Sequence, residues 1–512
     1  MTGAKILLKS LTELKVDTIF GYPGSSILPV YDALSEFPLR HVLTAHEMGA
    51  GFAASGMARA TGKPGVVIAT SGPGATNLVT AIADAFMDSV PLIAITGNVE
   101  LKNLGHDCFQ EVDIFGMTMP IVKYSYIVKS VNDLEKIIFE AFEIATTGRK
   151  GPVLIDIPFD VLKDETDYCG NFSRSPVSSS YDLKDVEKIA NLINDSQKPF
   201  LYLGGGGVDY SDRIIEFADL IKAQIGVSFM ALGSVPSDHK GYVGIVSDDN
   251  KPLQEILSAS DLVIALGARF NSRISAFDKI KNKTIIQIDI DGAEIDKNVL
   301  CNNYLIADIG TALDKLMPLL KEKENRELQN LSPVVKGRGK EIIFELSHFL
   351  PDDAVIITDV GLHQIWTACT YPFKKPRTFI TSGGLGVMGF GMGTAIGVAL
   401  ATNRKVVLIT GDGSLRMNVA EFETAVKLKI DLTVICMNNS SLGLIKKIQS
   451  KFYGKRFVEC DEPKLNFANL AKAYGGEGIT LSRTANVKEA LEQSLKMKKP
   501  LIIDCEISDK EF

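Results

Sequence analysis

Short runs of branched apolar residues, each ending in glycine, aspartate or asparagine and each followed by a helix-length segment, recur along the chain. This rhythm admits few folds. Residues 405–410 break at Gly411-Asp412-Gly413-Ser414, a helix-like segment begins near Asn418, and a second run, 432–437, ends at Asn438-Asn439. Uninterrupted apolar runs of this length have the form of parallel strands buried on both faces, and Gly-Asp-Gly has the form of a tight turn. Asp412 and Asn439 therefore fall at the carboxyl ends of two strands joined by a helix, where open α/β sheets bind ligands.

The same alternation fills three blocks. Residues 1–163 contain strand-like 39–43, 65–69 and 92–96, with a helix through 81–86. Residues 182–321 contain strand-like 200–203, 262–266 and 285–290. Residues 335–512 carry the Asp412 turn. Polar segments at 163–181 and 321–327 read as linkers. The expected class is α/β, with three doubly wound parallel-sheet domains.

Length fits this division, since 512 residues give about three domains, each able to bury its own core. A net charge of -7 and the lack of a basic tract argue against nucleic-acid binding. The first residues lead directly into an amphipathic pattern (Ala4, Leu7, Leu8, Leu11, Leu14), which is neither a signal nor a transit peptide. No run approaches the roughly twenty apolar residues of a membrane span. The seven cysteines (108, 169, 301, 369, 436, 460, 505) have no metal-like spacing, so reduced thiols in a cytoplasmic protein are expected. Cys436 and Cys505 lie in apolar runs and read as small core residues.

Mg²⁺ prefers hard oxygen ligands and is commonly held by one or two protein groups together with phosphates. Asp412 offers a charged oxygen and Asn439 a neutral one, while Gly411 and Gly413 let backbone N–H groups approach a diphosphate. An ordinary strand-end turn would use the same residue types. The asparagine pair at the next strand end favours the metal reading.

Asn439 follows Asp412 by twenty-seven positions, and this pattern resembles the thiamine-diphosphate signature. Further motifs resemble the acetolactate synthase catalytic subunit: Phe20-Gly21-Tyr22-Pro23-Gly24, His46-Glu47, Ala69-Thr70-Ser71-Gly72-Pro73-Gly74-Ala75-Thr76-Asn77, Phe109-Gln110-Glu111, Thr381-Ser382-Gly383-Gly384-Leu385-Gly386 and Met388-Gly389. The resemblance implies thiamine diphosphate and Mg²⁺ as cofactors, pyruvate as substrate, and 2-acetolactate and carbon dioxide as products, as in branched-chain amino-acid synthesis. It assigns Glu47 to the cofactor's aminopyrimidine, Gln110 to the reacting centre and Arg273 to the acceptor carboxylate. Gly386, Met388 and Met417 would contact the pyrimidine. His363, Gly411, Gly413 and Ser414 would meet the diphosphate, and the Ser441 backbone carbonyl would join Asp412 and Asn439 on the metal. A homodimer or tetramer is implied, with one chain's first domain meeting its partner's third, and a regulatory small subunit is a further partner the family brings.

Several positions depart from the family pattern. Ile448 replaces a tryptophan of the acceptor pocket, Ser25-Ser26 replaces Gly-Ala, Leu362 replaces a diphosphate-binding glutamine, and Phe159 stands where lysine is common. These changes keep open a second reading, a related ligase or lyase that delivers the two-carbon unit to another carbonyl acceptor such as a keto-sugar. FAD is also open. Gly204-Gly205-Gly206-Gly207, Met230-Ala231-Leu232-Gly233 and Ile288-Asp289-Ile290-Asp291 resemble parts of a flavin site, whereas Gly244-Ile245-Val246-Ser247 and Arg269-Phe270-Asn271-Ser272-Arg273 depart from it. The chain ends at Phe512, without the tail that covers the active site in relatives.

Overall fold

The computed structural model describes residues 1–170, 181–270, 275–301, 303–324 and 326–511. Arg273 and residues 171–180 of the expected first linker lie outside the described residues. The chain divides into two compact units: residues 1–177, 356–364 and 380–512 form one, and residues 178–355 and 365–379 the other. Among the described residues, no helix is long and apolar enough to cross a membrane.

Three six-stranded sheets carry the fold. The first contains β1 (Thr18–Gly21), β2 (Arg40–Leu43), β3 (Gly65–Ala69), β4 (Leu92–Asn98), β5 (Tyr124–Ile127) and β6 (Pro152–Pro158) in the order 2-1-3-4-6-5. The second contains β7 (Pro199–Leu203), β8 (Gln224–Val227), β9 (Tyr242–Ile245), β10 (Leu262–Leu266), β11 (Thr284–Asp289) and β12 (Asn303–Ile306) in the order 12-11-10-7-8-9. The third contains β13 (Val355–Thr358), β14 (Phe379–Thr381), β15 (Val406–Gly411), β16 (Leu432–Asn438), β17 (Glu477–Leu481) and β18 (Leu501–Glu506) in the order 14-13-15-16-18-17. The expected class of three doubly wound parallel sheets holds.

Central strands such as β3, β4, β6, β15 and β16 are buried along their whole length. Helices cover both faces, which explains why these strands read as unbroken apolar runs rather than as alternating ones. In the first and third sheets the order reverses direction between β1 and β3, and between β13 and β15. Such switch points open a crevice beyond the strand ends.

Two glycine-rich helices join the first and third sheets. Glu47–Thr61 follows β2 and Gly391–Ala401 precedes β15. A Cβ at Gly56 would lie 2.4 Å from the Thr394 carbonyl oxygen, and one at Gly397 would lie 1.8 Å from that of Ala53. The helices therefore touch backbone to backbone, and only hydrogen fits at those positions.

One expectation needs correcting. The helix after β15 begins at Asp412 itself (Asp412–Asn418), with extended Gly411 as its N-cap, rather than near Asn418. A second helix, Glu421–Lys427, follows after a break. The charged segment at 321–327 is irregular among its described residues, as a connector should be, and this stretch is tied to the second unit. Lys323 Nζ donates to the carbonyls of Asn194 and Ser196, and Leu331 N–H reaches the Tyr242 carbonyl at 3.3 Å.

Candidate active site

In the third sheet β15, which flanks the switch point, pairs in register with β16 from Val406↔Leu432 to Gly411↔Met437. This places Asp412 beside the Asn438-Asn439 turn. The carboxyl of Asp412 is buried, and its Oδ2 has no hydrogen-bond partner. Burial pushes its pKa up to about 6, although backbone N–H groups of Asp412, Asn439 and Gly413 pull the other way. A buried, unsatisfied carboxylate oxygen is costly unless something binds it.

Asn439 Oδ1 accepts the Ser441 N–H at 3.1 Å, and the Ser441 carbonyl accepts the Gly443 N–H at 2.9 Å. Both oxygens keep a free lone pair. One charged and two neutral hard oxygens fit a cation such as Mg²⁺, which takes its remaining ligands from phosphate and water. Among the described residues, no group of three His, Cys, Asp or Glu side chains could hold a metal. Any ion here therefore relies on the mixed oxygen set.

Asn438 has a different role. Its Nδ2 donates to Asp504 Oδ1 and to the Leu465 carbonyl, each at 2.9 Å, so it anchors the strand end, while the backbone N–H of Asn439 reaches the Asp412 carboxyl. His363 is buried against Gly411, where a Cβ would lie 3.0 Å from its Nδ1. Burial lowers its pKa to about 3, so the imidazole is neutral at working pH. The Ser414 hydroxyl donates to the Val360 carbonyl at 3.1 Å and ties this helix to the loop after β13. Leu362, the departure from glutamine, is buried, and its Cδ1 would lie 2.8 Å from a Cβ on Gly443.

Met388, Gly413 and Met417 come together around Gly389. Met388 Cε would lie 3.6 Å from a Cβ on Gly413, and Met417 Cβ would lie 3.0 Å from one on Gly389. Gly386, at φ 79°, has open space where a side chain would stand. Its loop is tied down from the first sheet. Ser382 Oγ accepts the N–H groups of Gly386 and Val387, each at 3.0 Å, and itself donates to Asp84. Asp88 accepts the N–H groups of Gly383 and Gly384 at 3.0 and 2.7 Å. Arg59 bridges the two acids, with Nη2 at 2.8 Å from Asp84 and Nη1 at 2.9 Å from Asp88. Burial alone would discourage the Arg59 charge, but the two carboxylates outweigh it and hold the guanidinium protonated.

Glu47 opens its helix at the end of the loop after β2. Asn77 Nδ2 donates to its Oε2 at 3.0 Å, and a Cβ on Gly74 would lie 3.3 Å from its Oε1. The same Thr70–Asn77 stretch meets the other expected residues of the first sheet. Gln110, at φ 58°, has its backbone against Gly72, and its Oε1 accepts from the Ser25 hydroxyl at 3.3 Å. Ser26 is turned inward instead. Its hydroxyl shares a hydrogen bond with Thr70 Oγ1 and accepts the Ser71 N–H, both at 2.9 Å.

The expected residues thus form two groups, one around Asp412 and one around Glu47. Among the described residues, no hydrogen bond joins the two carboxylates. Residues that sequence reasoning missed lie between the sheets: Arg59, Asp84, Asp88 and Glu421. The available signal was an arginine within a helix of small, buried residues, which demands acidic partners.

In the second sheet, the 204–207 glycines meet the chain itself. A Cβ on Gly204 would lie 2.0 Å from the Gly267 carbonyl oxygen, and one on Gly206 would lie 2.9 Å from Gly267 Cα. Close approach of the β7 and β10 ends at the switch point accounts for these glycines without a nucleotide. They do not single out a flavin.

Three family models match successive parts of the chain: the N-terminal TPP binding domain of thiamine pyrophosphate enzymes over residues 1–117, the central domain over 186–316, and the C-terminal TPP binding domain over 359–505. The acetolactate synthase isozyme 1 large subunit of Escherichia coli K12 is 40% identical, covering 100% of this chain and 94% of that protein. The isozyme 2 large subunit of the same organism is 37% identical, covering 100% and 96%. The acetolactate synthase large subunit of Porphyra purpurea is 37% identical, covering 100% and 92%. The chain therefore belongs to the acetolactate synthase large-subunit family of thiamine pyrophosphate enzymes and is an acetolactate-synthase-like transferase dependent on that cofactor.

Proposed function

We propose that the chain decarboxylates pyruvate and joins the remaining two-carbon unit to a second pyruvate. The balance is two pyruvates and one proton to 2-acetolactate and carbon dioxide. The observation that carries this reading is the unsatisfied, buried Asp412 Oδ2 beside Asn439 at a switch point, a site suited to a metal-held diphosphate. When bound, thiamine diphosphate supplies the electron sink for loss of carbon dioxide from a 2-oxo acid.

In this reading Asp412, Asn439 and the Ser441 carbonyl hold Mg²⁺. Neutral His363 serves the diphosphate as a hydrogen-bonding group rather than as a charge, with Gly411, Gly413 and Ser414 beside it. Gly386, Met388 and Met417 would flank the pyrimidine, and the Glu47 carboxyl would hydrogen-bond its ring nitrogen. Gln110 borders the reacting centre, and Arg273 meets the acceptor carboxylate, where a planar bidentate donor suits it. The family resemblance implies a homodimer or tetramer in which two chains complete each site, Glu47 coming from one chain's first domain and Asp412 from its partner's third. The relatives' designation as large subunits supports a smaller regulatory partner. Seven free cysteines favour the cytoplasm. Flavin stays an expectation for the central domain, tested by the visible spectrum of the purified protein, and no step is derived through it.

Mass analysis of the products from pyruvate, Mg²⁺ and thiamine diphosphate tests the reaction: acetolactate and carbon dioxide are expected, and the loss of both would overturn it. The keto-sugar acceptor rests on Ser25, whose hydroxyl faces Gln110, because Ser26 is used internally. Competing 2-oxobutyrate and a keto-sugar against pyruvate decides between them.

A further inference from the structure

Glu421, on the third sheet's side of the unit, is fully buried. Its Oε2 accepts the Ala45 N–H at 3.1 Å and its Oε1 accepts the His46 N–H at 3.0 Å. The Thr424 hydroxyl adds a third bond to Oε2 at 2.9 Å. Ala45 and His46 are the two residues immediately before Glu47, and His46 is the N-cap of the helix that Glu47 opens. A Cβ on Gly49 would lie 2.0 Å from Glu421 Oε1, so the carboxylate is tucked under the first turn of that helix.

Two parallel backbone donors require a group that only accepts. An ionised carboxylate meets both, whereas an amide would turn its NH₂ toward one of them and leave a buried N–H unsatisfied. Aspartate keeps the charge but falls short by one methylene. The Glu47 side chain is fixed separately by Asn77 within the first sheet's side of the unit. The backbone just ahead of Glu47 and the Glu47 side chain are thus held from different sheets.

We propose that Glu421 is a positioning residue for Glu47, setting the direction of its carboxylate through the Ala45 and His46 amides. The proposal rests on the reading of Glu47 as the group that engages the aminopyrimidine. Exchange of the thiazolium C2 proton for deuterium in the holoenzyme, followed by quench and NMR, reads that role without any turnover. Wild type, Glu47→Gln, Glu421→Gln, Glu421→Asp and Thr424→Val are compared, with cofactor Kd and Tm measured for each. Because misplacing a reacting group by about 1 Å costs on the order of 10²-fold, Glu421→Gln and Glu421→Asp should slow exchange about 10- to 100-fold, with cofactor Kd within about 3-fold. Thr424→Val keeps both amide bonds and should exchange like wild type even where its Tm falls. Wild-type exchange in a folded Glu421 variant alongside slow exchange in Glu47→Gln would overturn the proposal and leave the Glu47 reading intact. So would slowing in Thr424→Val equal to that in Glu421→Gln at matched Tm. Should Glu421→Gln fail to fold, Glu421→Asp carries the same test. Wild-type exchange in Glu47→Gln would overturn both readings.

Discussion

The first and third sheets share one strand order and even one buried clamp, yet their strand ends carry different chemistry. In the first, Asn98 closes β4 and donates to Asp156 on β6 at 2.5 Å. In the third, Asn438 closes β16 and donates to Asp504 on β18 at 2.9 Å. Registers match as well, with Thr96↔Asp156 and Cys436↔Asp504. What differs is the turn at the switch point. After β3 it is Thr70-Ser71-Gly72-Pro73-Gly74, which packs on Ser26, Gln110 and Glu47; after β15 it is Gly411-Asp412-Gly413-Ser414, which leaves a carboxylate oxygen without a partner. One scaffold thus presents two different strand-end chemistries, set by the loops that it positions.

The sharpest way to break the comparison is at the first sheet's own acid. Glu47→Gln should lower pyruvate turnover by about 10²- to 10⁴-fold, the usual range for losing a positioned proton-handling group, with Tm nearly unchanged. Steady-state rates and a thermal melt check both halves of that statement.

Next in size is the strap between the sheets. Arg59→Met leaves Asp84 and Asp88 buried without their cation, and breaking such a pair costs about 3–5 kcal/mol. Urea unfolding should report that loss, and thiamine diphosphate affinity should fall with it because the Gly386 loop is released.

The clamps give an internal control. Asn98→Ala and Asn438→Ala should each cost about 1–3 kcal/mol, since each leaves a buried carboxylate oxygen unsatisfied. Only Asn438→Ala, next to Asn439, should also weaken Mg²⁺ binding. Equal effects on Mg²⁺ would erase the distinction between the two strand ends.

The smallest effect is on pH. In the proposed metal site Asp412 would have to be ionised to hold the cation, and burial has raised its pKa to about 6. Protons therefore compete below that value, and Mg²⁺ affinity should fall about tenfold per pH unit on going down from pH 6, levelling above pH 7. Calorimetric titrations across this range test it. His363, with its pKa lowered to about 3, should contribute no step.

Much of this was legible in the chain itself. The buried strands are continuous apolar runs, so β10 was expected at 262–266 and is Leu262–Leu266. Asp412 and Asn439 were legible because sheet topology brings successive strand ends together. Asn439 is the member of the asparagine pair chosen from the sequence, but what Asn438 does is not legible there, because its partner Asp504 lies 66 residues away. Nor is the helix start at Asp412 legible, since glycine and aspartate suit a free turn and a helix N-terminus equally. Glu421 and the Arg59 strap were invisible for a different reason. Ala45 and Glu421 are 376 residues apart, and Ser382 and Asp84 are 298 apart, beyond the reach of any local pattern.

The division of labour between the two strand ends has one direct test, calorimetric titration of thiamine diphosphate with Mg²⁺ into Glu47→Gln and Asp412→Ala. Glu47→Gln should bind within about 3-fold of wild type although it is inactive, whereas Asp412→Ala, having lost the charged metal ligand, should bind at least about 100-fold more weakly. Near-normal binding by Asp412→Ala, or a collapse of binding in Glu47→Gln, would contradict the assignment of diphosphate and metal to the third sheet and of activation to the first.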